Sequence, residues 1–333
     1  MAVTIKDVAG AAQVSTATVS HVLNETRYVS EETRRKVYDA VRELGYVPNM
    51  NAAGLRNGKT KRIALLVPAI GSFFSIDILE SVEQVFRKEG YQVIIGCSRE
   101  DLQCERDQVD VFNYQQVDGM LMFPAPGDHS YLNQMPRKYP IVFIDRSAEN
   151  CQRDLFIGDN EQAVYELVKQ MIAAGHRSIG LINGVEGVSV MAERIRGYRR
   201  ALEEADIPFD ETLIRNGNSQ SEGGYRAAEW FVQDGRVTAI LSLTATMTLG
   251  CMKYLTLNKV PVPQRIAVVG FGETEWAEIT QPPLTTLRHP LFEMGRRAAE
   301  RLIMRIKEAE SGAKPEPYET VRMPIELVRR ETF

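Results

Sequence analysis

The stretch TIKDVAGAAQVSTATVSHVLN, residues 4–24, holds two short helical patterns separated by a three-residue break. Thr4 and Asp7 form a capping-box pattern at the start of the first helix, a hydroxyl followed three residues later by a carboxylate. Apolar residues recur at helical spacing behind them: Ile5, Val8, Ala9 and Ala12. Ser15, after the break, is a favourable N-cap for the second helix. Two short helices joined by so tight a turn predict a helix-turn-helix unit.

The second helix has two faces of different chemistry. One is apolar and is expected to join Val8 and Val14 in a small core; it consists of Val19, Val22 and Leu23. The other is short-chained, polar and free of acids; it consists of Thr16, Ala17, Thr18, Ser20, His21 and Asn24. Small side chains let a helix approach the major groove, where hydroxyl, amide and imidazole groups contact bases or phosphates. We predict a DNA-binding surface here, with a merely solvated face as the alternative.

A third helix and a basic linker complete the head. The helix is predicted between Ser30 and Gly45, as a capped amphipathic segment that buries Val37, Ala40, Val41 and Leu44. The linker contains a helical segment too short to be stable alone. Its exposed Leu55, beside Arg56, is typical of a wedge pushed between base pairs from the minor groove. We therefore expect a DNA-binding domain over residues 1–49 and a hinge helix and linker over 50–61.

The charge distribution supports a polyanionic partner for the head alone. Residues 1–62 contain ten Lys and Arg against six Asp and Glu, whereas the whole 333-residue chain has a formal net charge of −4. The head is therefore basic and the rest acidic. This signal is weak by itself, because a small positive excess also suits an ordinary solvated surface.

Residues 3–49 resemble the N-terminal domain of the LacI/GalR family of bacterial transcription regulators in motif order and spacing. The resemblance implies base contacts from the recognition helix and the residues after it: Thr16, Ala17, His21 and Arg27. It also implies that Leu55 takes the minor-groove wedge position. The family's hinge usually contains Ala-Arg-x-Leu, whereas residues 52–55 are Ala-Ala-Gly-Leu. This form, continued by Arg56, is similar to the fructose and sucrose repressor branch.

From Arg62 onward, apolar runs of strand length alternate with amphipathic helical patterns, and this cycle occurs twice. The sequence therefore predicts an α/β effector-binding and dimerisation domain over residues 62–333. It would have two doubly wound parallel-sheet lobes, and the resemblance implies a periplasmic-binding-protein-like body with three crossovers. The expected lobe limits are about 62–160 plus 291–318 for the N-lobe, and about 161–290 plus 319–333 for the C-lobe.

A ligand cleft is expected where the strands of both lobes end. Residues at these ends are candidates for effector binding: Ser72, Phe73, Phe74, Asp145, Arg146, Asp159, Arg194, Asn218, Ala245 and Glu273. The resemblance implies an effector contact for Arg194. Two alternatives remain open: Asp145 and Arg146 could form a salt bridge within a lobe, and the two phenylalanines could be core residues.

One departure from the family's pattern bears on the effector. Sugar-binding members carry a carboxylate that accepts bonds from sugar hydroxyls, and Ala245 stands in its place here. Loss of an acid beside Arg146 and Arg194 shifts the cleft toward positive charge, and guanidinium groups suit phosphates and carboxylates. The expected effector is therefore a sugar phosphate or sugar acid rather than a neutral sugar.

Other functional classes find no support in the sequence. It contains no phosphate-binding GxxxxGK[ST], HExxH or GxSxG motif, so we predict no enzyme and no cofactor. The four cysteines lack metal-ligand spacing, which predicts free thiols in a cytoplasmic protein and no metal site. No apolar run is long enough to span a membrane, and no signal peptide is recognisable.

The predicted function is a sequence-specific regulator, a repressor of carbohydrate-metabolism genes, controlled by a small effector. It would bind a pseudo-palindromic operator on double-stranded DNA as a homodimer, because a two-fold protein demands a two-fold site. Tetramers of the family use an additional leucine-heptad tail, and this chain ends at RRETF, which favours a dimer. The alternative is a pleiotropic catabolite-type regulator or activator that needs a protein co-regulator.

Overall fold

The computed structural model describes residues 3–24, 27–46, 59–71, 73–136 and 138–333, with the backbone alone at positions 24 and 73–75. The chain divides into two compact units between Thr60 and Lys61. Each unit has a hydrophobic core of its own.

The first unit, the head, contains three helices among its described residues: α1 Ile5–Ala11, α2 Thr16–Asn24 and α3 Glu31–Leu44. Their ends follow from local chemistry. The backbone N–H of Thr4 donates to Asp7 Oδ2 at 2.8 Å, which closes the predicted capping box. Ser15 Oγ accepts from the N–H of Thr18 at 3.0 Å and caps α2. Gly45, at φ 61°, ends α3 in the left-handed conformation that glycine adopts without strain.

The core of the head is small and apolar, and all three helices contribute to it. Its buried residues are Val8, Ala9, Ala12, Val19, Val22, Val37 and Ala40. The predicted partners Val14, Leu23 and Val41 are half-buried against this core. The prediction for Leu44 was wrong: its side chain is 36% exposed, because it lies in the last turn of α3, beyond the cluster of buried residues.

The second unit, the body, alternates strands and helices. Its elements, in chain order, are β1 Arg62–Val67, α4 Phe73–Lys88, β2 Gln92–Cys97, α5 Leu102–Tyr114, β3 Gly119–Met122, β4 Ile141–Ile144, β5 Asp154–Gly158, α6 Asn160–Ala173, β6 Ile179–Asn183, α7 Ser189–Glu204, β7 Ile214–Asn216, α8 Ser221–Asp234, β8 Ala239–Ser242, α9 Ala245–Leu257, β9 Ala267–Phe271, α10 Trp276–Ile279, β10 Thr285–Arg288, α11 Leu291–Ser311, β11 Thr320–Met323 and β12 Glu326–Val328. Two short 3₁₀ turns lie between these elements, at Ser130–Asn133 and Glu211–Leu213.

The body contains two sheets, and each is the centre of one lobe. The strand order is β11-β5-β4-β3-β1-β2 in the N-lobe and β12-β10-β9-β8-β6-β7 in the C-lobe. All pairings are parallel except that of β10 with β12. In each sheet the order reverses next to the first strand, which creates the crevice where doubly wound sheets bind ligands. The predicted combination of a helical head with a two-lobed α/β body is confirmed.

The chain passes between the lobes three times within the described residues. The crossovers lie between β5 and α6, between β10 and α11, and between β11 and β12. The predicted limit at residue 319 was therefore wrong, because Thr320–Met323 pairs with β5 and belongs to the N-lobe. The C-lobe resumes only at Glu326, which pairs with Arg288. Edge strands this short carry no periodic signal, and their pairing depends on tertiary contacts.

Candidate functional site

The polar face of α2 lies on the surface of the head. Thr16 and Ala17 are exposed and Ser20 and His21 are half-buried, whereas Val19 on the opposite side is fully buried. The side chains that were predicted to contact bases therefore share one solvent-facing surface, supported from beneath by the apolar core. Such an arrangement presents short polar groups to a groove without exposing the core.

Residues after α2 extend this surface. Arg27 is exposed, as a base or phosphate contact requires. Its neighbour Tyr28 is 94% exposed, and the sequence reading overlooked this large aromatic side chain. The side chain of Asn24 and the hinge residues Leu55 and Arg56 lie outside the described part of the structure.

In the body, a cavity of about 330 Å³ lies between the lobes, at the ends of their strands. Eight residues from the N-lobe side and the crossovers line it: Pro68, Ala69, Arg99, Glu100, Asp145, Arg146, His289 and Leu291. The C-lobe contributes Val185, Val188, Val190, Met191, Arg194, Ser219, Gln220, Leu243, Thr244, Ala245, Thr246, Phe271, Gly272 and Glu273. Of the candidate effector residues, the structure brings five together here: Asp145, Arg146, Arg194, Ala245 and Glu273.

Arg194 forms the buried positive end of the cavity. Its Nε donates to Asn160 Oδ1 at 2.8 Å, its Nη1 to the carbonyl of Leu243 at 2.6 Å and its Nη2 to His289 Nε2 at 3.1 Å. The guanidinium also stacks 3.6 Å from the ring centroid of Phe271. These three acceptors are neutral, and a guanidinium has five N–H groups. Burial lowers the pKa of Arg194 to about 10, so at neutral pH it stays charged, with N–H groups left for a ligand.

Arg146 is occupied by a carboxylate of the protein itself. Its Nη1 and Nη2 donate to the two oxygens of Glu100 at 2.5 and 2.8 Å, and its Nε lies 3.4 Å from Asp145 Oδ2. The salt-bridge alternative for Arg146 is therefore the one observed, chiefly with Glu100. Burial raises the pKa of Asp145 despite the opposing charges of Arg146 and Arg194. Asp145 Oδ1 is buried without a hydrogen-bond partner among the described residues.

The start of α9 forms part of the C-lobe wall. Thr244 caps the helix by accepting from the N–H of Met247 at 3.2 Å, and Ala245 begins it. A Cβ added to Gly272 would lie 3.2 Å from the Cβ of Ala245, so two small residues meet where a longer side chain would intrude. The partial positive charge of a helix N-terminus therefore faces the cavity without a neighbouring acid from either position.

Glu273 lines the cavity but is engaged in an ion pair. Its Oε1 lies 2.6 Å from Nη2 of Arg330, and Thr286 donates to its other oxygen. Burial alone would raise the pKa of Glu273, but the bonds from Arg330 and Thr286 outweigh this effect and lower it. Glu273 consequently ties the C-terminal segment to the rim of the cleft.

The remaining predicted effector residues do not line the cavity. Asp159 precedes α6 and belongs to the crossover after β5, and its charge acts on Arg322 instead. Asn218 is exposed in a tight turn at φ 52°, and its successors Ser219 and Gln220 line the cavity in its place. Both residues do follow a strand, but the direction of each side chain depends on the turn. Ser72 and the side chains of Phe73 and Phe74 lie outside the described residues.

Two further cavity residues, Glu100 and His289, were missed by sequence reasoning. Glu100 follows β2, and its position after a strand of one lobe was the available signal. His289 is 6% exposed on the crossover between β10 and α11. Burial and the charge of Arg194 lower the pKa of His289 well below its ordinary value. A guanidinium only donates, so the neutral ring accepts through Nε2 and carries its proton on Nδ1.

The described residues contain no cluster of His, Cys, Asp and Glu that could hold a metal ion. Within the same residues, no helix is both long and apolar enough to cross a membrane.

Comparison with known families matches both units of the chain. The model for bacterial regulatory proteins of the lacI family matches residues 4–49. The model for a periplasmic binding protein-like domain matches residues 168–333.

Individual relatives are similar over nearly the full length. The HTH-type transcriptional repressor PurR of Vibrio atlanticus (strain LGP32) is 35% identical over 99% of this chain and 98% of its own. The ribose operon repressor of Haemophilus influenzae is 33% identical over 99% of this chain and 98% of its own. Among solved structures, the lac repressor dimer bound to operator and the anti-inducer ONPF superposes with a TM-score of 0.85. It is 27% identical and covers 100% of this chain and 99% of that one.

Proposed function

This chain belongs to the LacI family of bacterial regulatory proteins, and on that premise we propose that it represses carbohydrate-metabolism genes under control of a small effector. A DNA-binding transcriptional regulator is not an enzyme, so family membership also confirms the prediction that no catalysis takes place. A protein that binds chromosomal DNA works in the bacterial cytoplasm. The observation that carries the proposal is the exposed polar face of α2 on a capped helix-turn-helix core.

The operator contacts are proposed for the face of α2 and for the residues after it. The residues are Thr16, Ala17, Thr18, Ser20, His21, Asn24 and Arg27, with Leu55 and Arg56 in the hinge. Repression is supported by the relatives named as repressors, and a dimer by the operator-bound dimeric lac repressor. Two heads related by a two-fold axis bind two half-sites of a pseudo-palindrome.

The proposed effector carries a phosphate or carboxylate and binds in the interlobe cavity. Arg146 does not add to the positive charge of the cavity, because Glu100 neutralises it. Arg194 is different, because all three of its hydrogen-bond acceptors are neutral. Together with the start of α9, it provides a positive site whose guanidinium makes no direct ion pair with a carboxylate among the described residues. The unpartnered oxygen of Asp145 suits a hydroxyl donor, as a sugar provides.

A calorimetric screen of full-length protein against matched neutral and phosphorylated hexoses tests this effector class. We expect a hexose phosphate to bind at least tenfold more tightly than its neutral parent. Glu100→Gln serves as the matched variant: it frees Arg146 without touching Arg194, and should increase the affinity for the phosphate further. Tight binding of the neutral sugar and none of its phosphate would contradict the proposal.

The experiment that tests regulation adds the bound ligand to the protein on its DNA site. A change of DNA affinity with the small molecule alone supports a self-sufficient repressor. The second candidate, a regulator dependent on a protein partner, requires that the affinity change only when a phosphoprotein is added. Among the described residues of the body, no contact specifically favours that candidate.

A further inference from the structure

A short segment at the start of α7 contacts both the effector cavity and the opposite lobe. Val188, Val190, Met191 and Arg194 line the cavity, and three residues beside or between them contact the N-lobe. The N-lobe contacts come from Gly187, Ser189 and Glu193. Ligand and lobe contacts therefore alternate along eight residues of a single stretch of chain.

Two of the N-lobe contacts are close approaches at the edge of the cleft. Ser189 Oγ accepts a hydrogen bond from the backbone N–H of Ser147 at 3.2 Å. Gly187 is at φ 83°, and a Cβ added there would lie 3.1 Å from the Cβ of Pro126. Ser147 and Pro126 follow strands β4 and β3 of the N-lobe, so both contacts depend on the angle between the lobes.

The third contact is an ion pair that crosses between the lobes. Arg322 of β11 donates through Nη2 to Glu193 Oε1 at 2.9 Å and through Nη1 to Oε2 at 3.3 Å. Glu193 is only 8% exposed, so the fork holds a carboxylate that is largely removed from water. Arg322 lies two residues before the crossover at Pro324, and a change of lobe angle must move it relative to α7.

The next residue of α7 contacts the other two crossovers. Arg194 bonds to Asn160, the first residue of α6, and to His289, two residues before the start of α11. One turn of α7 is thus bound to residues in or next to all three connections between the lobes, and the same arginine lines the cavity. A shift of this turn changes the cavity and the lobe angle together.

We propose that the Glu193–Arg322 pair is an interlobe latch that positions α7, so that Arg194 reaches the effector at one fixed lobe angle. Arg322 acts through α7 without touching the effector and is therefore a positioning residue. Loss of the pair releases the edge contact between Ser189 and Ser147 and shifts the population toward open lobes. The structural part of this inference holds whatever the effector is; its consequence for DNA binding depends on the proposed function.

The chain offers a closely matched control on the same helix. Arg196 of α7 pairs with Glu161 of α6 at 2.9 Å, and both residues belong to the C-lobe. The side chain of Arg196 is 56% exposed and that of Arg322 is 47% exposed. Arg196→Gln and Arg322→Gln therefore remove the same group from arginines of similar exposure, although Glu193 is more buried than Glu161, and only the second pair crosses between lobes. Glu193→Gln removes the other partner, and Arg322→Lys retains the positive charge.

The measurement is amide hydrogen exchange of the peptide containing Ser147 in the free full-length protein. We expect Arg322→Gln and Glu193→Gln to speed exchange of this interlobe amide at least fivefold, with Arg322→Lys within twofold of the wild type. Arg196→Gln should leave it unchanged. The same two glutamine variants should alter affinity for the protein's DNA site at least threefold, in the same direction.

The latch would be overturned if the amide of Ser147 exchanged at the same rate in Arg322→Gln as in Arg196→Gln, whether both variants matched the wild type or both were accelerated. Faster exchange at Ser147 without a change in DNA affinity would support the latch but contradict its proposed effect on DNA binding. Absence of any specific DNA site would instead contradict the proposed function and leave the exchange result standing. Since the Arg322 side chain is half-exposed, we expect Arg322→Gln to have a melting temperature near that of Arg196→Gln. This measurement verifies that the variant is folded.

Discussion

We expect the base specificity of the head to depend most on His21. Its ring lies on the same surface as Thr16 and Ala17, and its hydrogen-bonding nitrogens reach further than their short side chains. We predict that His21→Ala costs about 1–3 kcal/mol on the cognate site and relaxes preference at one base pair per half-site. Fluorescence anisotropy on the cognate site and its single-base variants measures both effects. Equal losses on cognate and random DNA would show that His21 contacts only the backbone.

His289 gives the body a specific dependence on pH. Its folded-state pKa is lowered by burial and by Arg194, whereas the unfolded chain has an ordinary value of about 6.5. Below that pH the His289 ring is protonated in the unfolded state but remains neutral in the folded state. The stabilising contribution is therefore present above about pH 6.5 and is lost as the pH falls toward the folded pKa, at up to about 1.4 kcal/mol per pH unit.

The variant His289→Gln tests this dependence, because its amide oxygen still accepts from Arg194 and it cannot titrate. Urea unfolding between pH 7.5 and 5, followed by the fluorescence of Trp230 and Trp276, reports the body alone, since both tryptophans lie there. We expect the variant to lose less stability on acidification than the wild type. Parallel pH profiles for the two proteins would show that another group is responsible.

Which site residues could be predicted depended on how far their partners lie along the chain. Arg194 was predicted through the family resemblance, and Asp145 and Arg146 through their place after a strand. The partner of Arg146 could not be found this way, since Glu100 is 46 residues away and the pair forms only when β2 and β4 enter one sheet. The pair of Glu273 and Arg330 spans 57 residues and escaped prediction for the same reason. The expected excess of positive charge was accordingly too large.

At the level of elements, local chemistry determined the head and tertiary pairing determined the edges of the body. The starts of α1 and α2 and both ends of α3 were predictable because a cap involves residues three or four positions apart. Strands β5, β11 and β12 were not recognised, and two of them are single edge strands whose residues pair far along the chain. This is why the lobe limit near residue 319 was misplaced although the number of lobes was correct.

The crossing of α8 and α9 depends on glycine, and this packing can be tested directly. A Cβ on Gly250 would lie 1.8 Å from the carbonyl oxygen of Ser221, and one on Gly224 would lie 2.0 Å from that of Met247. Backbone cannot yield as a flexible side chain does, so the helices must separate. We predict that Gly250→Ala destabilises the body by about 3 kcal/mol or more.

Tryptophan-detected urea unfolding at pH 7.5 measures this change, and Gly10→Ala is the control. An added Cβ at Gly10 meets nothing within 4 Å, and α1 belongs to the other unit. The control should therefore leave the unfolding midpoint of the body unchanged. A midpoint for Gly250→Ala equal to that of the wild type would show that α8 and α9 adjust without loss of packing.

At the scale of the whole molecule, the proposed regulation requires two states that differ in lobe angle. An effector shifts them only by its difference in affinity, and a change from 1:99 to 99:1 needs about 5.5 kcal/mol. The cavity offers the buried charge of Arg194 for that purpose, on the same helix turn that contacts the crossovers. Whether the effector releases or strengthens DNA binding depends on which lobe angle it prefers.

The most direct test of sequence-specific, two-fold operator binding is selection of DNA from a random duplex library by the full-length protein at physiological salt. The account predicts enrichment of one pseudo-palindromic sequence with two half-sites, and His21→Ala should alter the same position in both halves. Failure to enrich any sequence, or enrichment of a single asymmetric site, would contradict the account.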